Sequence, residues 1–493
     1  MKNVLTKHLM GICVSTVLLG VSYSAAEIPL NYDVENRGQD LKSEAASLKK
    51  NDKFPDPFEF HDGSKVTTVE DWSKRRNEIK ADIEKYEIGA RPAPPKVTAS
   101  YSNGTLTVNV NDNGGTLTLT SKFSIPSGAG PHPIIIGMNS GTGSLSASLF
   151  SDIVQVPFNH DQTAIYSMNG TKNTSGPFYK LYQNLSGAGD YTAWSWGVSR
   201  IIDGLSQIAQ EYNLDMKRIA VTGCSYAGKM ALFSGAFDER VTLTIAQESG
   251  GGGINSWRTS DAFAKRVENI EKIDNTNYSW FMQSLQRQDP YSLPHDHHEL
   301  IAMIAPRAFL ALGNPDYAWL GDESGYKSAM AASEVWKAMG IEERFGFDFD
   351  GGHSHCQASS RQNQTITAFV DKFLRGKETK TDIRYEPKSS KFNLEYKNLI
   401  DWETPTLKVS EQAPAVTPKD TISQVVPQDT SVTSKDTTDS TLAITRGVAS
   451  RQSQKAPALL RKGSQIYIEK EGAKSDKVFD IRGRLLNIMR RNF

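Results

Sequence analysis

The chain has 493 residues, 38% of them apolar, with 56 basic and 56 acidic side chains and a formal net charge of zero. That length and composition suit one large globular domain with accessory segments and exclude a wholly disordered or fibrous chain. Balanced charge removes any global attraction to nucleic acid or to an anionic membrane, so no nucleic-acid partner is expected and function has to be sought in local sites.

Lys2 and Lys7 precede an apolar run from about Leu9 to Val21 and the small-residue stretch "SYSAAE", the pattern of a secretory signal over residues 1–26. The run is shorter than the roughly 20 residues that cross a bilayer, and no later run is longer, so no membrane span is expected. A secreted or cell-surface protein is the expectation. The mature chain, 27 onward, opens with a polar, proline-broken lead-in to about residue 60. "VEDWSKRRNEIKADIEKYEIG" then predicts a helix with Trp72, Ile79, Ile83 and Tyr86 on one face. "TLTVNVNDNGGTLTLTSKFSI" predicts two strands around a turn at Asn113-Gly114-Gly115.

From residue 132 short apolar runs alternate with helical patterns. "HPIIIGM", "RIAVTG", "RVTLTI", "RAFLALG" and "RFGFDFDG" read as buried strands, and "AWSWGVSRIIDGLSQIAQEY", "AGKMALFSGAF", "SAMAASEVWKAMG" and "TAFVDKFLRG" as helices between or after them. That alternation predicts an α/β fold, a three-layer sandwich with a mostly parallel central sheet, over residues 27–405. Residues 406–457 are rich in Thr, Ser, Pro, Lys and Asp with almost no aromatics, and read as a disordered linker. Pattern returns in a short segment, 458–493, around "SQIYIEKEG" and "KVFDIRGRLLNIM". "VFDIRGRLL" resembles the C-terminal sorting segments of exported bacterial proteins. The excess of nine Lys or Arg over four Asp or Glu from Arg461 onward gives the other reading, a basic anchor to an acidic surface.

Chemistry concentrates in three places. In "RIAVTGCSYAGKMAL" a strand delivers Ser225 into a sharp turn with a helix directly behind it, which suits a nucleophile above a sheet and equally an N-capping serine. The glycines stand at 223 and 228, one position later than the usual G-x-S-x-G. A serine nucleophile needs an imidazole and an acid to orient it. "FGFDFDGGHSHCQ" offers His353 and His355 after a late strand; "TIAQESGGGG" offers Glu248 and "ALGNPDYAWL" offers Asp316, and chain order admits either acid. The two cysteines of the mature chain add a constraint. Cys224 adjoins Ser225 and Cys356 adjoins His355, so serine and imidazole in contact would bring the cysteines within disulfide range and favour His355 over His353. The densest imidazole group, "HDHH" at 295–298, reads as structural, and neither a metal nor an organic cofactor is expected.

These motifs resemble the glucuronoyl esterases of carbohydrate esterase family 15: "GCSYAGK", "QESGGGG", "GHSHC", "AWSWGVSRIIDGL", "LPHDHHELIAMIAPRAFLAL" and "YAWLG" occur in the family's order between about Trp72 and Trp402. The late glycine is that family's own spacing. The resemblance implies a secreted serine esterase cleaving the ester between 4-O-methyl-glucuronic acid on xylan and lignin alcohols, with Ser225 as nucleophile, His355 as base and acid, and Glu248 as orienting carboxylate. Asp316 stands as a second acid. It also implies sugar contacts from Lys229 and Trp319, with Gln247 expected within reach of the sugar, and a Cys224–Cys356 bridge; Glu271 receives no role. One departure matters: the family has arginine directly after the nucleophile, at the oxyanion, and this chain has Tyr226. The backbone N–H of Tyr226 and the loop "GMNSG" after Met138 are the expected oxyanion surroundings. Rival readings are an acetyl xylan esterase-like deacetylase and an inactive carbohydrate-binding relative.

Overall fold

The computed structural model describes residues 28–44, 49–168 and 170–409, with the backbone of four short strands further on. Helix α1, Val69–Ile83, begins at a capping box in which the Thr68 hydroxyl accepts the Asp71 N–H at 3.0 Å and the Asp71 carboxylate accepts the Thr68 N–H at 3.2 Å. The expected helix continues as a π-helical turn, Glu84–Ile88, which buries Glu87 and Ile88. There the Glu87 carboxylate meets His295 and His297, each at 2.8 Å. With Asp296 holding the Arg258 guanidinium and His298 stacked on Phe54, the four residues of "HDHH" are all fully buried and tied to protein partners.

Strands β1 (Lys96–Ser102), β2 (Thr105–Asp112) and β3 (Gly115–Lys122) form an antiparallel sheet in that order. The β2–β3 turn is the expected one: Asn113 and Gly114 take φ of 47° and 72°, the left-handed pair of a two-residue hairpin. The β1 strand gives only a weak sequence signal: Val97, Ala99 and Tyr101 alternate on its half-buried face, with polar or exposed residues between them.

The main sheet has seven strands, β4 (His132–Met138), β5 (Val154–Phe158), β6 (Leu214–Cys224), β7 (Leu243–Gln247), β8 (Ala308–Gly313), β9 (Phe345–Phe349) and β10 (Arg384–Tyr385). Their spatial order is β10-β9-β8-β7-β6-β4-β5 and every pairing is parallel. Alternate side chains serve opposite layers. Ile134, Ile136, Ile219, Val221, Phe309 and Ala311 join one core cluster; Ile135, Ala220, Leu310 and Leu312 join the other. On the first side lie α1, α3 (Asp190–Tyr212), α4 (Tyr226–Phe237), α6 (His297–Ala302) and α7 (Asp322–Ala338); on the second α8 (Ser360–Phe373) packs with Leu145, Phe150 and Ile153. Helices α2 (Pro177–Leu181) and α5 (Trp257–Ala264) complete the set. This is the α/β three-layer arrangement that the alternation predicts.

Two differences have physical causes. The β5 strand was not read from "VQVPF" because Pro157 and Gln155 interrupt it; it is an edge strand, where a missing N–H is tolerated. The domain also continues past residue 405: Leu407 is buried, its N–H reaching Ala338 O at 2.7 Å, and Lys408 bonds Thr67 O at 3.1 Å. Residues 1–26, read as a signal, and most of residues 406–457, read as a linker, lie outside the described residues. In the tail, which belongs to a separate unit, Leu459–Lys462 pairs antiparallel with Gln465–Ile468, and Val478–Phe479 with Leu485–Leu486.

Chain order runs outward from β4 to β5 and then returns to the other side of β4 with β6. Such a reversal opens a crevice at the carboxyl ends of the strands, where open α/β sheets place their sites.

Candidate active site

Ser225 stands at that crevice, between the end of β6 and the first residue of α4. Its φ of 61° and ψ of −128° are strained for a side chain with a Cβ, and its own hydroxyl caps nothing in the helix. The capping reading of Ser225 therefore has no hydrogen bond behind it. The flanking glycines follow from close backbone approach: a Cβ on Gly223 would lie 2.2 Å from Ala227 O, and one on Gly228 2.4 Å from Gln247 O. The late glycine is thus set by the neighbouring strand β7. Tyr226 is the first residue of α4, where a backbone N–H has no intrahelical acceptor and the helix dipole favours negative charge.

The histidine loop comes from the end of β9. His355 Nδ1 lies 2.6 Å from Glu248 Oε2, and the Cys356 N–H donates to Glu248 Oε1 at 3.1 Å, so one carboxylate, 1% exposed, holds both the ring and its backbone. Glu248 follows β7 directly, with φ of 43° and its N–H on Leu312 O at 2.6 Å. Cys224 and Cys356 are bonded, with Cα atoms 5.6 Å apart, which sets the residues beside Ser225 and His355 against each other. Among the described residues the group with metal-ligand spacing is Cys224, His355 and Cys356, and its two sulfurs are already joined to one another.

Asp316 goes elsewhere. Its Oδ2 accepts the Gly352 N–H at 2.6 Å, which pins the start of the histidine loop, and the imidazole of His355 is bonded to Glu248 instead. His353 turns its Nδ1 to the Asn314 amide at 3.1 Å. Trp319 packs edge-to-face on His355 with ring centroids 4.8 Å apart, and the Tyr317 hydroxyl accepts the His355 N–H at 3.2 Å.

Gln247 departs from its expected place at the sugar. It is fully buried, its Oε1 accepting from the Ser144 hydroxyl at 2.6 Å and its Nε2 donating to Gln357 O at 2.7 Å, so it ties two loops together and has no exposed end. Lys229, 4% exposed on α4, forms an ion pair with Glu271 at 2.8 Å and lies 5.6 Å from the Trp280 ring. The Glu271 carboxylate is steadied by the Thr276 hydroxyl at 2.8 Å. The sequence assigns Glu271 no role because the family alignment is loose around it; the fold brings it to Lys229.

Tyr226 is also more engaged than its sequence suggests. Its hydroxyl accepts from Asn139 Nδ2 at 2.7 Å and lies 3.2 Å from His160 Nε2, and its ring packs against Tyr166 at 4.5 Å and Trp280 at 5.7 Å. Burial raises the Tyr226 hydroxyl above the ordinary phenol range. Behind Glu248 lies Asp322, fully buried at the start of α7, whose carboxyl is pushed up to about 8 by burial first and by the charge of Glu248 second.

Comparison with known proteins gives the chain a family. A family model described as fungal glucuronyl esterase matches residues 108–340. A 4-O-methyl-glucuronoyl methylesterase of Hypocrea jecorina (strain QM6a) is 40% identical over 368 residues, 73% of this chain and 77% of that protein. The Sporotrichum thermophile glucuronoyl esterase, solved as a serine-to-alanine mutant with methyl 4-O-methyl-beta-D-glucopyranuronate, superposes with a TM-score of 0.70 at 36% identity, covering 75% of this chain and 100% of that one. A carbohydrate esterase family 15 glucuronoyl esterase from Caldicellulosiruptor kristjansonii gives a TM-score of 0.60 at 29% identity, covering 69% and 96%. At 40% identity over 73% of this chain and 77% of its relative, the chain belongs to the glucuronoyl esterases of carbohydrate esterase family 15.

Proposed function

We propose that this protein is a serine esterase that hydrolyses the ester between a 4-O-methyl-glucuronic acid side chain of xylan and a lignin alcohol. The reading is carried by one observation: His355, held at 2.6 Å by Glu248, is clamped beside the nucleophile elbow by the Cys224–Cys356 bridge. Ser225 Oγ attacks the acyl carbon of the uronate while His355 Nε2 takes its proton. Glu248 keeps the other ring proton on Nδ1 and stabilises the imidazolium that forms. The tetrahedral oxyanion faces the Tyr226 N–H at the positive end of α4. His355 then returns its proton to the departing alcohol, leaving the uronic acyl group on Ser225, and water repeats the sequence to release the free acid. Lys229, with Glu271 and Trp280 around it, and Trp319 beside His355 are the proposed sugar contacts. Asp316 serves as a loop-pinning carboxylate in this reading, not as the triad acid.

Among the described residues no helix is long and apolar enough to cross a membrane. Export through residues 1–26, and sorting or surface contact through residues 458–493, belong to the same proposal; secretion of a reporter carrying or lacking 458–493 tests the tail. The central test compares hydrolysis of benzyl glucuronate with that of an acetylated xylan by wild type and Ser225→Ala. Wild-type cleavage of the uronate ester, abolished in Ser225→Ala, is expected. Activity on the acetyl ester alone assigns a deacetylase, and xylan binding without serine-dependent hydrolysis assigns an inactive relative.

A further inference from the structure

The expected oxyanion arginine is replaced by Tyr226, and the surroundings of that tyrosine show what takes over. Asn139 directly follows β4, where the loop supplying the second oxyanion donor of such hydrolases begins. Its backbone N–H is turned away, donating to Phe158 O at 2.9 Å. Its carboxamide is exposed on the crevice side of the sheet and held in a left-handed backbone, φ 70°, that only the local structure sustains. The loop that follows presses on the elbow: a Cβ on Gly143 would stand 3.2 Å from the Gly223 Cα.

The hydrogen bond between Asn139 and Tyr226 has a defined direction. The His160 Nε2 lies 3.2 Å from the Tyr226 hydroxyl on the other side, and the His160 Nδ1 stands 3.0 Å from Asp161 Oδ1 without hydrogen-bond geometry. Burial holds His160 below its ordinary range, which favours the neutral ring. The Tyr226 oxygen accepts one of the two amide hydrogens of Asn139 at 2.7 Å. Among the described residues no acceptor meets the other amide hydrogen of Asn139.

We propose that the Asn139 carboxamide is the second oxyanion donor of this esterase and that Tyr226, oriented by His160, is the positioning residue that aims it. The inference rests on the Ser225 acyl-enzyme reading above. It replaces a charged donor by a neutral amide, so the site gives up the guanidinium charge and keeps the directed hydrogen bond.

The test uses the purified full chain and steady-state hydrolysis of benzyl glucuronate, with thermal melting as a control for folding. Asn139→Gly removes the amide and suits the left-handed backbone; a loss in kcat of about 10²-fold with little change in KM is expected, the size of one lost oxyanion donor. Asn139→Asp keeps the shape but sets an acceptor against the oxyanion, so it falls further, and recovers as pH drops and the carboxyl protonates. Tyr226→Phe gives an intermediate loss. The double variant Asn139→Gly with Tyr226→Phe is no slower than Asn139→Gly alone, because the hydroxyl acts only through the amide. Wild-type kcat in both Asn139 variants overturns the donor assignment; losses that multiply in the double variant overturn the positioning role. An inactive Ser225→Ala beside an unimpaired Asn139→Gly refutes this inference alone, whereas an active Ser225→Ala refutes the nucleophile reading beneath it. If wild type cleaves only the acetyl ester, the same variants on that ester decide the inference.

Discussion

The Cys224–Cys356 bridge joins the two loops that carry the nucleophile and the histidine, and its removal tests stability and catalysis together. The bridged residues are 132 apart in sequence. Closing a loop of that length in the unfolded chain corresponds, in the chain-entropy treatment, to about 5 kcal/mol. With an unfolding entropy of about 2.1 cal/mol/K per residue, a domain of roughly 380 residues converts that into a fall of about 6 °C in Tm. The double variant Cys224→Ala with Cys356→Ala should therefore melt about 6 °C below wild type by calorimetry, and reductant should bring wild type down to the same midpoint while leaving the variant unmoved. Glu248 still holds His355 and the Cys356 backbone N–H without the bridge, so kcat on the uronate ester should fall but not vanish. An unchanged midpoint in the variant, or an equal response of the variant to reductant, would refute the reasoning. A drop in Tm with wild-type kcat would keep the stability argument and sink the claim that the bridge positions His355.

Glu248→Gln should lower kcat by about 10⁴-fold with an intact fold, because the amide no longer selects the Nδ1–H form of His355; Asp316→Asn should leave kcat far less affected, and the reverse ranking in a kinetic comparison would reassign the acid. Lys229→Ala should raise KM for the uronate ester by about tenfold or more, through loss of a charged hydrogen bond and the stranding of Glu271, and a KM unchanged in steady-state assays would remove Lys229 from the sugar site. Gly228→Ala should be strongly destabilised, read as a lowered Tm or loss of soluble protein, since its Cβ would meet Gln247 O at 2.4 Å. For Asp322 the sign is set by its ionisation: near 3.8 as a free side chain and about 8 when folded. Between those values the unfolded chain holds fewer protons, so stability falls as pH rises, and Asp322→Asn should gain in Tm over wild type from about pH 4 up to about pH 8 and level off above; a gain that shrinks with pH in buffered melting scans would contradict it.

The sequence alone determined the α/β alternation, because most strands of the main sheet are short apolar runs separated by helical patterns, and these signals are local. It made the strand-to-helix turn at Ser225, the choice of His355 over His353 as candidate and the Cys224–Cys356 bridge legible for a related reason: serine, imidazole and cysteines sit in compact motifs whose adjacency carries the geometry. It did not decide between Glu248 and Asp316, since both end strands on the same edge of the sheet. The tertiary structure decided which carboxylate the imidazole meets, because the loop after β9 folds its ring onto the carboxylate following β7 and leaves Asp316 to a backbone N–H. Gln247 looked like a sugar contact from its place in the motif and is fully buried between two loops. Glu271, Asn139 and His160 carry no local signature, and His160 follows an edge strand that a proline disguises. Their roles come from groups far apart in sequence meeting in one crevice, Lys229 with Glu271 at 2.8 Å and Tyr226 with Asn139 at 2.7 Å. Local patterning fixes what each segment becomes; which side chains share a hydrogen bond depends on the order in which the strands are laid side by side.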